Sequence, residues 1–436
     1  MPPGRTAAAG ELTLAQNTSW INCDHEKNRK TGIAALFRPQ TTKSKAFEMT
    51  KRFVESKEAV TAEKDETTGQ KMMCIQDFKE VADRKLPRVH RNYYNDGSTD
   101  QITVRENSTA FLKYRIRPRV LVDVSQCCPS IECLGRKVAF PVGIAPTVQF
   151  IAHPDAEIAT SRACARKGIN MAIGSLASNT VKDICGAGKS VDSNMTYAMQ
   201  MYPFKNRVMA AKLIKEAEAQ GCKAVFLTAD SPTLGVRYRE WKDDFRIPSE
   251  QGFPNIGWTV ERLRAQSNDS VGQDTLDDSQ NWARDIAWFK SQTKMEIWIK
   301  GVLTAEDTQK AVEMGCHGII VSNHGGRQLD GVPATIDALP ECVKAANGRL
   351  KVHIDGGIRT GSDIFKAIAL GAECCWLGRP ALWALAYDGE KGMDLMLQVL
   401  YDDFVRCMKL AGCQTIKDIT KASLGVVRHD GPLARL

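Results

Sequence analysis

Between residues 141 and 378 a short apolar run ends in small or polar residues and gives way to a helical stretch, and this happens eight times. The runs are Pro141 to Ala145, Asn170 to Ile173, Thr196 to Tyr202, Ala224 to Asp230, Glu296 to Lys300, Gly318 to Asn323, Lys351 to Asp355 and Cys374 to Gly378. A strand apolar on both faces has to be covered on both sides, which is the condition of a parallel sheet enclosed by its own crossover helices. Eight such units close a barrel, whereas a doubly wound open sheet usually stops at about five or six strands. The expected fold is therefore α/β, a (β/α)8 TIM barrel. Helix starts agree with this phasing. Thr304 with Asp307 and Thr360 with Asp363 place a capping hydroxyl three residues before a carboxylate, and Gly315 and Gly371 fall where those helices should stop.

The barrel carries two additions. Ahead of it, Ile75, Phe78, Val81 and Ala82 have the spacing of an amphipathic helix that Pro87 interrupts, so an N-terminal helical segment opens the folded part. After the fourth run, Ser231 to Ser279 is rich in Asp, Gln, Ser and Pro and is too long for a simple βα connection. It reads as a mobile lid-type loop. Residues 1–72 are polar and irregular, with no sustained period, and read as a disordered extension preceding a barrel domain at 73–436. The same stretch has the small and basic residues of a cleaved transit peptide, although Glu11, Asp24 and Glu26 depart from that pattern.

No apolar stretch is long enough to span a membrane. The net charge is +8, but residues 1 to 72 hold 12 Lys/Arg against 9 Asp/Glu, so the excess on the rest is mild. It suits small anionic substrates and gives no support to nucleic-acid binding. The 14 cysteines are scattered, and the adjacent pairs Cys127-Cys128 and Cys374-Cys375 match neither a zinc knuckle nor a disulfide framework. Reduced thiols and no metal site are expected.

In a (β/α)8 barrel the chemistry sits where strands end. Those positions are Thr147, Ser175, Gln200 with Tyr202, Thr228 with Asp230, Lys300, Ser322 with His324 and Arg327, Asp355 with Arg359, and Gly378 with Arg379. In Ser322-Asn-His-Gly-Gly-Arg-Gln-Leu-Asp330 a strand runs into a glycine pair flanked by a His and an Arg. The glycines permit a tight turn and close approach to a ligand, the His can act as a base near neutral pH, and the Arg fork can hold a carboxylate. Asp355-Gly-Gly-Ile-Arg-Thr-Gly361 and Gly378-Arg-Pro380 follow runs seven and eight, the usual phosphate site of such barrels. Lys300 could offset charge developing on a reduced cofactor, or could simply pair with an acid such as Asp355.

These segments resemble the FMN-dependent L-2-hydroxy acid oxidase and dehydrogenase family, which includes glycolate oxidase, lactate oxidases and the flavin domain of yeast-type lactate dehydrogenase. The resemblance covers about residues 73 to 436. It is carried by the Ser322 to Asp330 motif, with Leu86-Pro87 ahead of Tyr93-Tyr94, Ile144-Ala-Pro-Thr147, Leu227-Thr-Ala-Asp-Ser-Pro232 and Asp355-Gly-Gly in the expected order. It implies FMN as cofactor and oxidation of an L-2-hydroxy acid to the 2-oxo acid, with oxygen as acceptor and hydrogen peroxide as product. A dehydrogenase with another acceptor, or a lactate monooxygenase, stays open as the alternative.

By position, the resemblance makes His324 the base, Asp230 the partner of its imidazole, and Arg327, Arg237 and Tyr93 the holders of the substrate carboxylate. Tyr202 would face the substrate hydroxyl and Lys300 the flavin. Pro146, Thr147, Val148, Gly174, Gln200, Thr228, Ser322, Asp355, Gly356, Gly357, Ile358, Arg359, Gly378 and Arg379 would contact FMN. A buried carboxylate beside His324 is expected to raise its proton affinity. Two positions depart from the glycolate oxidase pattern, Gly174 where a serine is usual and Leu176 where an indole lines the substrate pocket, so a substrate larger than glycolate is expected. The resemblance also implies a homotetramer or larger assembly. The tripeptide Ala434-Arg435-Leu436 is similar to a peroxisomal address and predicts that compartment, with mitochondrial or cytoplasmic location as the alternative.

Overall fold

A computed structural model describes residues 71–248, 252–261, 275–427 and 434–435. Residues 1–70 of the extension proposed for 1–72, together with 249–251, 262–274, 428–433 and Leu436, lie outside the described residues. The folded part begins with α1 (Ile75–Lys85), whose buried face is Ile75, Phe78, Val81 and Ala82. The amides of Met73 and Cys74 donate to Asp77 Oδ2, at 2.7 and 2.9 Å, and so close its first turn. Pro87 then caps α2 (Arg88–Asn95), which is followed by α3 (Ile102–Thr109).

The eight expected runs form eight parallel strands: β1 (Val142–Ile144), β2 (Asn170–Ile173), β3 (Tyr197–Met201), β4 (Ala224–Thr228), β5 (Glu296–Val302), β6 (Gly318–Val321), β7 (Lys351–Asp355) and β8 (Cys374–Leu377). Each pairs with the next, and β8 pairs with β1 through Cys375↔Val142 to Leu377↔Ile144, which closes the barrel. Helices follow strands as the phasing requires: α4 (Ala156–Arg166), α5 (Val181–Lys189), α6 (Arg207–Ala219), α7 (Tyr238–Lys242), α8 (Trp282–Gln292), α9 (Ala305–Glu313), α10 (Thr335–Ala346), α11 (Gly361–Ala369) and α12 (Arg379–Ala411). Thr304 caps α9 and Thr360 caps α11, each side-chain oxygen accepting the amide three residues on.

The barrel interior is filled by Ala145, Ala172, Ala198, Ala224, Phe226, Trp298, Ile320 and Trp376, and the hairpin 131–138 adds Cys133, Leu134 and Val138 to the same cluster. Two indoles fit because glycines face them. A Cβ on Gly143 would lie 2.6 Å from the Trp376 ring, and one on Gly318 would lie 2.4 Å from the Trp298 ring. The end of β5 differs from the simple run expected. The register against β6 shifts between Lys300 and Val302, and Gly301 has φ +108°, with a Cβ there falling 2.6 Å from that of Asp230. This is a bulge at the strand end that carries Lys300.

The described part of the long segment after β4 is more ordered than a lid-type loop implies. It holds α7, a 3-10 turn at Pro254–Ile256 and a bridge between Phe253 and Trp258. Phe245, Phe253, Ile256 and Trp258 are buried, and that apolar anchoring is the reason. At the other end of the chain, Ala434–Arg435 pair antiparallel with residues 425–426.

Candidate active site

The carboxyl ends of the strands converge on one cleft that encloses about 1560 Å³ of empty space, its mouth included. Tyr93, Pro146, Thr147, Val148, Gly174, Leu176, Gln200, Tyr202, Thr228, Arg237, Lys300, His324, Arg327, Asp355 to Arg359, Gly378 and Arg379 all line it. Asp230 and Ser322 are not among the lining residues. They sit behind the lining side chains and hold them.

His324 stands on the turn after β6 with φ +56°, its amide donating to Ser322 Oγ at 3.1 Å. Its Nδ1 lies 3.0 Å from Asp230 Oδ1, which also accepts from Ser231 Oγ at 3.0 Å. Burial raises the Asp230 carboxyl, but the charges of His324 and Lys300 and the hydrogen bonds from His324 and Ser231 outweigh it and leave its pKa below the usual value. The imidazole behaves differently from the sequence expectation. Burial, joined by Lys300 and Arg327, outweighs Asp230 and lowers the pKa of His324, so the ring is neutral at neutral pH.

Lys300 makes the ion pair with Asp355 that the sequence offered as one reading, and it also lines the cleft: its Nζ lies 2.9 Å from Ser322 Oγ and 3.4 Å from Asp355 Oδ2. Burial works against its charge, yet Asp355 and Asp230 raise its pKa, and it stays protonated. Gln200 is fixed at both ends: its Oε1 accepts the Ser175 amide and hydroxyl, each at 3.1 Å, and its Nε2 donates to Thr228 Oγ1 at 3.0 Å.

The second corner is cationic. Arg327 lies over the Tyr93 ring, 4.9 Å from its centroid, and donates through Nη1 to the Tyr93 carbonyl. Arg237 lies 6.0 Å from the same centroid and binds Glu240 through two hydrogen bonds, from Nε to Oε2 and from Nη2 to Oε1. Tyr93 stacks on Phe245 with centroids 4.4 Å apart. Tyr202, half-buried, has a hydroxyl whose pKa burial and Asp230 push up, so it remains a proton donor in hydrogen bonds.

At the third corner, the loops after β7 and β8 bring Arg359 and Arg379 into the cleft. Arg379 donates to the carbonyls of Tyr94, Gly325 and Asp96, at 2.8, 2.8 and 3.1 Å, which ties α2 to the His324 turn. Burial, then Arg327 and Arg359, push Arg379 down to about 9, and burial takes Arg359 down to about 10. Two half-buried guanidiniums that disfavour their own charge are a place for an anion.

The glycine pair after His324 serves the protein's own packing more than ligand approach. A Cβ on Gly326 would come 2.7 Å from the Val104 amide of α3, and one on Gly325 would come 2.9 Å from Arg379 Nη1. Asp330, at the end of the same motif, accepts from Thr99 Oγ1 and the amides of Ile102 and Thr103. These bonds outweigh burial, hold the carboxyl at about 2 and cap α3. Glu240, Leu234, Phe245, Ile247 and Phe253 also line the cleft. The sequence reading missed all five. Only Glu240 had a local signal, three residues after Arg237 on a short helix.

Residues 82–426 match the model of the FMN-dependent dehydrogenase family. The chain belongs to that family. It is 44% identical over 363 residues to oxidase FUB9 of Fusarium oxysporum f. sp. lycopersici, covering 83% of this chain and 93% of that one. It is 41% identical over 368 residues to glycolate oxidase of Spinacia oleracea (83% and 97% covered) and 38% identical over 361 residues to 2-hydroxyacid oxidase 1 of Homo sapiens (80% and 96%). Among solved structures it is similar to mandelate oxidase, with a TM-score of 0.74 at 31% identity over 84% of this chain and all of that one.

FMN is the family's cofactor, and the cleft fits it on its own chemistry. Thr147 Oγ1 and Asp355 Oδ1 are buried polar atoms without a partner among the described residues. Arg359 and Arg379, with the glycines of both loops, suit a phosphate dianion. Gln200, with its amide held in one orientation, can face the polar edge of a flavin ring.

Proposed function

We propose that the chain oxidises an L-2-hydroxy acid to the 2-oxo acid with oxygen as final acceptor, so that 2-hydroxy acid and O2 give 2-oxo acid and hydrogen peroxide. The observation that carries this reading is an imidazole, held by a carboxylate at 3.0 Å, in the same cleft as an arginine three residues along the chain. When bound, FMN would supply the two-electron acceptor for the electron pair that leaves carbon two of the substrate.

The rest falls to the protein's side chains. Arg327 grips the carboxylate, with Arg237 and the Tyr93 side chain beside it, and this fixes which face of carbon two is presented. Tyr202 donates to the substrate hydroxyl. His324 takes one proton at Nε2, the ring nitrogen that Asp230 leaves open, and Asp230 then stabilises the imidazolium. Lys300 keeps a positive charge at the flavin side of the cleft. The cleft wall made by Leu176, Leu234, Phe245, Ile247 and Phe253 is apolar, which supports a substrate carrying a side chain on carbon two.

Anaerobic addition of L-lactate or L-2-hydroxybutyrate to the yellow protein should bleach the flavin absorbance, and air should restore it with one peroxide per turnover. Absence of bleaching by any L-2-hydroxy acid overturns the reading. Bleaching that air does not reverse transfers the activity to another electron acceptor. Assembly into four or more copies belongs to the same proposal and is read by light scattering.

A further inference from the structure

The substrate corner holds more negative charge than carboxylate recognition requires. Arg237 and Glu240 are both nearly inaccessible, with side-chain exposures of 10% and 3%, and they face each other through paired hydrogen bonds. The pair uses the Nε hydrogen and one of the two on Nη2, so only the far edge of the guanidinium is left for a substrate. Arg327, half-buried in the same corner, donates to a backbone carbonyl and has no carboxylate in a salt bridge among the described residues.

Two arginines and one glutamate leave one uncompensated positive charge. The other cations lining the cleft are committed elsewhere, Lys300 to Asp355 and Arg359 and Arg379 to the anion corner at the loops after β7 and β8. The wall that a carbon-two substituent would meet is Leu176, Leu234, Phe245, Ile247 and Phe253, which offers no cation.

We infer that Glu240 is a specificity residue: by neutralising Arg237 it sets the corner's charge at one, and so selects 2-hydroxy acids with a single carboxylate against those with two. This rests on the function proposed above. The physical basis is that a second carboxylate entering a buried site must lose its water and find a cation. Arg237, the cation beside Arg327 among the described residues, is already paired, and Glu240 itself repels the newcomer at short range in a low-dielectric cleft. Glu240 acts through Arg237 and does not touch the reacting atoms, so its role is one of positioning and charge.

The test compares L-malate with its 4-amide, which have the same carbon skeleton and nearly the same size and differ by one negative charge. For the wild type, kcat/KM for the amide should exceed that for malate by at least about tenfold. Glu240→Gln keeps an acceptor for Arg237 and removes the charge, and should reduce that ratio at least about tenfold. Glu240→Asp should preserve most of it. Binding of the matching products, oxaloacetate and its amide, read by the shift they cause in the FMN spectrum, should change in the same direction without turnover.

Equal loss for both substrates in Glu240→Gln means a merely structural pair and overturns the inference. So does a wild type that uses malate as well as the amide, a result that does not depend on any variant folding. If no L-2-hydroxy acid of any charge bleaches the flavin, the function proposed above has failed. If monocarboxylates bleach it and malate does so equally well, only the charge rule has failed.

Discussion

His324 occupies the left-handed region of backbone space, where a residue with a Cβ costs about 1–3 kcal/mol. Two contacts keep it there, its amide on Ser322 Oγ and its ring on Asp230. His324→Ala should therefore leave the barrel and its FMN in place while turnover falls by at least roughly a hundredfold, the low end of positioned acid-base catalysis. Turnover within a few-fold of wild type removes His324 from the mechanism. The sign of its pH dependence follows from its surroundings. Burial, the largest influence, lowers the imidazolium pKa below 6.5 against the pull of Asp230, and the base works in its neutral form. kcat/KM should thus fall only as pH drops below 6.5 and stay flat through neutrality. Asp230→Asn removes the group that raises this pKa, so the acid limb should move to lower pH while the plateau drops. An acid limb at or above 6.5 in the wild type contradicts the assignment. Leu176 supplies a third prediction at this scale. An isobutyl group where related oxidases carry an indole leaves room for a substituent, and each methylene buried there adds up to about 0.8 kcal/mol. kcat/KM should rise from glycolate to lactate to 2-hydroxybutyrate, and Leu176→Trp should turn the preference back towards glycolate. A wild type that prefers glycolate would show that the aromatic wall of Phe245 and Phe253 closes the pocket first.

Among the elements, β6 and β5 are coupled by an indole lying where a side chain would otherwise stand. Gly318 opens β6 because Trp298 of β5 fills its Cβ position, and the last residues of β6 lead directly into Ser322 and His324. Gly318→Ala forces a backbone or ring shift and should cost about 1–3 kcal/mol, read as a lower melting temperature of the holoenzyme. Trp298→Leu should be destabilising alone yet make the Gly318→Ala change nearly neutral, since the two compete for one volume. Strict additivity of the pair would disprove the contact. The bulge after Lys300 belongs to the same pair of strands. It places Gly301 against Asp230, so the strand end that carries Lys300 also abuts the residue behind His324.

The whole molecule without FMN has to hold Arg359 and Arg379 half-buried near each other, an arrangement that burial itself opposes. A ligand that binds the folded state alone stabilises it by about 2.7 kcal/mol at a hundred times its Kd. Removing FMN should lower the melting temperature by several degrees, and inorganic phosphate should restore part of the loss by taking the place of the FMN phosphate. Equal melting temperatures with and without FMN would mean that the arginines have found other partners.

What the sequence determined by itself is the periodic and local part: eight parallel strands, the helix caps at Thr304 and Thr360, the strand ends that carry the chemistry, and the His324 motif. Apolar period, capping chemistry and chain order are properties of neighbouring residues, and they survive without knowledge of the fold. The tertiary structure decided which residues line the cleft and which stand behind it, as Asp230 and Ser322 do. It decided that the glycine pair makes room for α3 and Arg379, and that the segment after β4 packs an aromatic wall against the cleft. It also decided the direction in which His324 titrates. That last point shows why the rest was not legible: Asp230 alone would raise the pKa, and the opposite outcome comes from burial and from two charges, Arg327 on the same turn as the ring and Lys300 brought to it from the end of β5. Desolvation and Coulomb energy depend on distances between elements far apart in the chain, and only folding sets those distances.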